Sequence, residues 1–103
     1  MNEVVPSIAA DQRSIAEYCR RWRVRELAIF GSASRGELRA DSDIDVMVAF
    51  EDSTSWDLLD LSAMRTELSD MLGRDVDLIE QGTISDPQRR ANIERDRRVL
   101  YAA

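Results

Sequence analysis

The most constraining stretch of this 103-residue chain runs from Leu27-Ala28-Ile29-Phe30 through Gly31-Ser32-Ala33-Ser34-Arg35-Gly36 to Ser42-Asp43-Ile44-Asp45-Val46. A short, continuously apolar run that stops at a glycine reads as a central strand packed on both faces. Small residues then make a turn, Ala33 to Leu38 has room for a turn or two of helix, and Asp41-Ser42 leads into a second strand, Asp43 to Phe50. Side chains alternate along a strand, so Asp43 and Asp45 project to one face, followed there by Met47 and Ala49, while Ile44, Val46, Val48 and Phe50 line the other. Two carboxylates on one face repel each other and call for a cation. Hard oxygen ligands with no histidine or thiolate nearby favour magnesium over zinc. The turn supplies the complementary half: Gly31 lets the backbone pass close to a ligand, and amides that open a helix point at an anion such as a phosphate.

The rest of the composition narrows the chemistry. All 14 basic residues are arginine and there is no histidine, which removes lysine Schiff bases, the P-loop lysine, serine-histidine triads and histidine-ligated zinc. Carboxylates, arginines, hydroxyls and a bound metal are left. The net charge of −6 argues against a broad nucleic-acid footprint, so no direct nucleic-acid partner is expected. Cys19 stands alone, at helical spacing with Ile15, Tyr18 and Trp22, and reads as a buried filler in a reducing compartment. No apolar run approaches the roughly 20 residues that span a bilayer, and Met1 to Ala10 lacks the pattern of a leader. One cytoplasmic domain over residues 1–103 is the expectation, with homo- or hetero-oligomerisation left open.

In chain order, Pro6-Ser7 offers a start signal for a cover helix running to about Trp22, and the cationic Arg20, Arg21, Arg23 and Arg25 complement its C-terminal dipole more simply than they bind nucleic acid. Ser53, Thr54 and Ser55 are N-cap candidates for a long helix to about Leu72, with Leu58, Leu61, Met64, Leu68, Met71 and Leu72 as its stripe and Gly73 as its stop. Trp56, at its start, reads either as core or as half exposed against a partner. Val76-Asp77-Leu78-Ile79 is a third strand, and an acid inside so short an apolar strand asks for an explanation. Asp86-Pro87 is an N-cap followed by an N1 proline, opening a polar, arginine-rich helix to about Arg97. Val99-Leu100-Tyr101 fits an edge strand. There is no internal repeat or linker.

Gly31-Ser32, ten intervening residues and Asp43-Ile44-Asp45 together resemble the signature of the polymerase beta-like nucleotidyltransferase superfamily. The fuller string, with Arg35-Gly36 and Val46-Met47-Val48, is similar to its minimal nucleotidyltransferase (MNT) branch, and the likeness extends over most of the chain through Asp77 and the Ile93 to Tyr101 ending. The fold it implies is α/β, a small mixed sheet flanked by helices. By that resemblance, two magnesium ions would act on ATP: Asp43 and Asp45 would hold the ion on the triphosphate, and Asp77 with the same pair would hold the ion that lowers the pKa of the acceptor hydroxyl. Gly31 and Ser32 would bind the β- and γ-phosphates. Arg35 either reaches a phosphate oxygen or pairs on the surface with Glu37 or Asp41. Asp75 rivals Asp77 for the third acid, since residues two apart share a face, with Glu80 behind both.

The resemblance also implies a biological role. Many MNT proteins are antitoxins for a HEPN-domain RNase toxin and transfer AMP from ATP to a toxin tyrosine, so a HEPN-type protein is the expected partner. Two alternatives stay open at this point: an antitoxin that inhibits by binding alone, and a nucleotidyltransferase for a small-molecule hydroxyl.

Overall fold

The computed structural model describes residues 11–31 and 43–103. Its elements run α1 (Gln12–Arg21), β1 (Val24–Phe30), β2 (Ile44–Phe50), α2 (Leu58–Leu72), β3 (Val76–Glu80), α3 (Pro87–Asp96) and β4 (Arg98–Ala102). The four strands form one sheet in the order β3-β2-β1-β4. β1 is antiparallel to both β2 and β4, whereas β2 and β3 are parallel, joined by the crossover through α2. This is the mixed, helix-flanked sheet expected from the sequence, with β4 at an edge.

Period-two alternation in β2 decides which layer each side chain joins. Ile44, Val46 and Val48 are fully buried in the main core, with Ile15, Tyr18 and Cys19 of α1 and Met64, Leu68 and Leu72 of α2. Phe30 and Met47 point to the opposite face and meet Ile93 of α3, with Ile79 and Ile84 alongside. The two faces are thus unequal: one is fully roofed by two helices, and the other is covered by α3 only over its apolar part. Cys19 is inside the core, where burial pushes its thiol up to about 12, in keeping with a filler.

Two helix starts differ from expectation. The N-cap of α1 is Asp11, whose carboxylate accepts from the Ser14 amide at 2.8 Å; Pro6 and Ser7 lie outside the described residues. For α2 the cap is Asp57, which forms a reciprocal capping box with Asp60, in place of Ser53, Thr54 or Ser55. A carboxylate three residues before a partner able to return the bond satisfies two orphan amides at once, which a lone serine cannot do. The predicted ends hold: Gly73 closes α2 in the left-handed conformation at φ 74°, and Asp86 with Pro87 opens α3. β1 begins earlier than Leu27, because Val24 pairs with Phe50 across a bulge.

The basic run at the end of α1 is partly absorbed by ion pairs. Arg21 grips Glu67 of α2 with both terminal nitrogens, at 2.9 and 2.6 Å, and Trp22 Nε1 donates to the same carboxylate at 3.0 Å. Trp56 packs edge-to-face on Trp22, with ring centroids 5.2 Å apart, and its Nε1 donates to the Trp22 carbonyl oxygen at 2.9 Å. It therefore serves as a half-buried extension of the core. Among the described residues, no helix is long and apolar enough to cross a membrane.

Candidate active site

Strand register assembles the site. Phe30, the last residue of β1, pairs with Asp45 on β2, and Asp45 pairs with Asp77 on β3. Residues paired in adjacent strands project to the same face, so the two carboxylates stand side by side on strands roughly 5 Å apart. Asp43 lies two residues ahead of Asp45, on the same side of the chain. The pairing starts immediately, since the Ile44 amide donates to the Asp75 carbonyl oxygen at 2.9 Å. Asp75 therefore sits just before the strand, and of the two acids it is Asp77 that pairs with Asp45. Glu80 pairs with Val48 and belongs to the other face.

Gly31 follows β1 with φ +70°, a conformation that favours glycine, and a Cβ placed on it would meet Asp45 Oδ2 at 2.7 Å. The turn is thus pressed directly onto the second acid. Partial burial holds the Asp45 carboxyl above the usual carboxylate range; Asp77 and, more weakly, Asp43 reinforce the rise, and Arg89 opposes it. Asp45 accordingly feels both of the other acids. Ser32 and Arg35 lie outside the described residues.

Among the described residues, no three acidic, thiol or imidazole groups already converge as a ready-made metal cage. The acids form a row: Asp45 beside Asp77, with Asp43 ahead. Their chemistry nevertheless fits a hard divalent cation. Every donor is a carboxylate oxygen, the one thiol is buried in the opposite layer, and the like-charge repulsion at Asp45 is what a cation would relieve.

α3 supplies a wall that the sequence did not announce. Arg89, Asn92 and Asp96 face Phe30, Gly31 and Asp45 across a cleft of about 330 Å³. A hollow of about 370 Å³ on the other flank of α3, lined by Met47, Ile84 and Ile93, contains none of the acids. Arg89 was hidden in an arginine-rich helix with a single buried apolar residue, Ile93. That sparse burial was the available signal, because a helix pinned by one residue leaves its polar neighbours free to line a site.

A glycine turn and an acid-bearing strand beside a second acid on a parallel neighbour define a nucleotidyltransferase architecture. The model of the nucleotidyltransferase domain matches residues 12–100, and the chain belongs to that family. Among its relatives, the protein adenylyltransferase MntA of Thermococcus cleftensis is 34% identical over 84 residues, covering 82% of this chain and 80% of that protein. A crystal structure of a toxin-antitoxin with AMP-PNP superposes with a TM-score of 0.72 at 21% identity, covering 90% of this chain and 74% of the other. A structure of tri-AMPylated Shewanella oneidensis HEPN toxin in complex with MNT antitoxin gives 0.63 at 19% identity, covering 89% and 70%. The family and fold expected from Gly31-Ser32 and Asp43-Ile44-Asp45 therefore hold, and the chain is a nucleotidyltransferase.

Proposed function

We propose that this chain is a magnesium-dependent protein adenylyltransferase that acts as an antitoxin, moving AMP from ATP to a tyrosine hydroxyl of a cognate HEPN RNase toxin in the cytoplasm. The observation that carries the reading is the register that sets Asp45 beside Asp77 under the Gly31 turn. Support for a protein acceptor comes from the relatives, one named for protein adenylyl transfer and another described beside an AMPylated toxin.

In this reading Asp43, Asp45 and Asp77 would hold two magnesium ions. Bound there, the ions would supply Lewis-acid charge to the nucleotide and to the acceptor hydroxyl. Asp77, on the more open strand, accepts the proton as the hydroxyl oxygen bonds to the α-phosphorus. The bond from that phosphorus to the bridging oxygen breaks, and pyrophosphate leaves. Gly31 and Ser32 orient the β- and γ-phosphates through backbone amides and the serine hydroxyl, with Arg35 as a further phosphate contact. The row of acids fixes the approach of the nucleotide, so most of the rate comes from placement and from charge set in advance.

The test is incubation with magnesium, α-labelled ATP and the candidate HEPN partner. Label should pass to the partner with the wild-type chain and be absent with Asp45→Asn. Unlabelled partner that is still inhibited would replace this reading with a binding-only antitoxin. Label on an added hydroxyl compound without any protein would replace it with small-molecule transfer.

A further inference from the structure

Among the described residues, Asp45 feels two other acids and one cation, Arg89 of α3. Three features of the fold fix that cation in place. Asp86 caps α3 by accepting from the Gln88 amide at 3.1 Å. Ile93, 4% exposed, presses the helix onto Phe30 and Met47. Just beyond the helix, Arg97 pairs with Glu26 of β1 at 2.7 Å. Arg89 lies four residues before Ile93, one turn away on the same helix face. Its side chain therefore emerges over the sheet and into the cleft that Gly31 and Asp45 also line.

Among the described residues, no ion pair or hydrogen bond closes on the Arg89 guanidinium. Arg95 on the same helix, by contrast, donates its Nε to Asp96 at 3.3 Å. Charge balance gives Arg89 a task. Three carboxylates and a nucleotide triphosphate of about four negative charges exceed two divalent cations by about three, so a protein cation is needed next to the phosphates. With no lysine or histidine in the chain, that cation must be an arginine. A guanidinium fork also matches two phosphate oxygens at once.

We propose that Arg89 is the triphosphate arm of the site, gripping non-bridging oxygens of the β- and γ-phosphates as a bidentate donor across the cleft from Gly31. The inference rests on the nucleotidyl-transfer reading and names a residue for it that lies far along the chain from the Gly-Ser and Asp-x-Asp signature.

Calorimetric titration of the wild type, Arg89→Gln and Arg89→Lys with AMP-PNP and with AMP, each with magnesium, separates the outcomes. Arg89→Gln should weaken AMP-PNP by roughly 10- to 100-fold, the scale of one charged, bidentate contact. AMP affinity should stay within about twofold, since AMP lacks the two outer phosphates, and Arg89→Lys should recover part of the loss. KM for ATP should rise in step, with the melting temperature of the free protein lowered only slightly by the loss of the charge that offsets Asp45. Equal AMP-PNP affinity in wild type and Arg89→Gln, or equal losses for AMP and AMP-PNP, overturns the assignment while leaving the reaction class standing. A wild type that binds no AMP-PNP overturns both.

Discussion

Gly31→Ala probes the contact on which the site geometry turns. At φ +70° an alanine pays the left-handed penalty, about 1–2 kcal/mol, equivalent to a fall of roughly 4–16 °C in melting temperature for a domain of this size. The new methyl would also stand 2.7 Å from Asp45 Oδ2, so the carboxylate must retreat by about 0.7 Å to regain an ordinary 3.4 Å contact. That shift costs little stability, because only the end of a rotatable side chain has to move. Its cost to the reaction is larger: displacements near 1 Å in a catalytic group can lower rates about 100-fold, so a loss of roughly 10- to 100-fold in label transfer is expected. Denaturant unfolding and initial-rate assays on the single variant, with unfolding repeated in an Asp45→Ala background, separate the two terms. Asp45 Cβ is 4.0 Å from the new methyl, so the backbone penalty should persist in that background while the steric part disappears. Full activity in Gly31→Ala, accompanied by the expected loss of stability, would refute the idea that the turn sets the position of Asp45.

Asp45→Asn should abolish transfer yet stabilise the metal-free fold at neutral pH. The folded-state pKa of Asp45 lies above its ordinary value, so the folded chain holds that proton more tightly and the wild type loses stability as pH rises through the carboxylate range. The advantage of the variant should therefore be greatest near pH 7 and vanish toward pH 3, as read from paired melting curves. Magnesium with AMP-PNP at about 100 times its Kd should stabilise the wild type by about 2.7 kcal/mol and Asp45→Asn far less, measured by thermal shift. Tyr18→Phe removes a buried hydroxyl that donates to the Met64 carbonyl oxygen at 3.0 Å and should cost about 1 kcal/mol, seen as a lower urea midpoint with an unchanged slope. Leu58→Ser with Leu59→Ser alters side chains 84% and 81% exposed and should shift stability by no more than about 0.5 kcal/mol, read from the same urea curves.

The parts of the fold legible in the sequence were those governed by local pattern. The arrest of an apolar run at Gly31, the alternation from Asp43 to Phe50 and the Asp86-Pro87 start each depend on neighbours within a few residues, and each is realised. Asp77 stood out in the sequence because it interrupts an apolar strand, and the structure pairs it with Asp45. Helix starts were less legible: Ser53, Thr54 and Ser55 each offer a single cap ahead of Asp57, and the bond that Asp60 returns is what favours the later start. Arg89 was out of reach for a different reason. Its position depends on α3 crossing the sheet face at Ile93, a contact between segments that share no periodicity. The sequence singled out Asp77 by its flanking residues, whereas its place beside Asp45 follows from a strand pairing between β2 and β3.

That pairing has an evolutionary consequence. Asp45 and Asp77 meet only because β3 is threaded in one particular phase against β2, and a strand moved by one residue turns all of its side chains over. A single inserted amino acid between Gly73 and Val76, tolerated in a surface bend, could carry Asp77 away from its partner while the sheet survived in shape. Descendants of such a chain would keep the outline of the fold and lose the juxtaposed acids, so under the proposed function a protein that merely binds its partner lies one small insertion away from an enzyme.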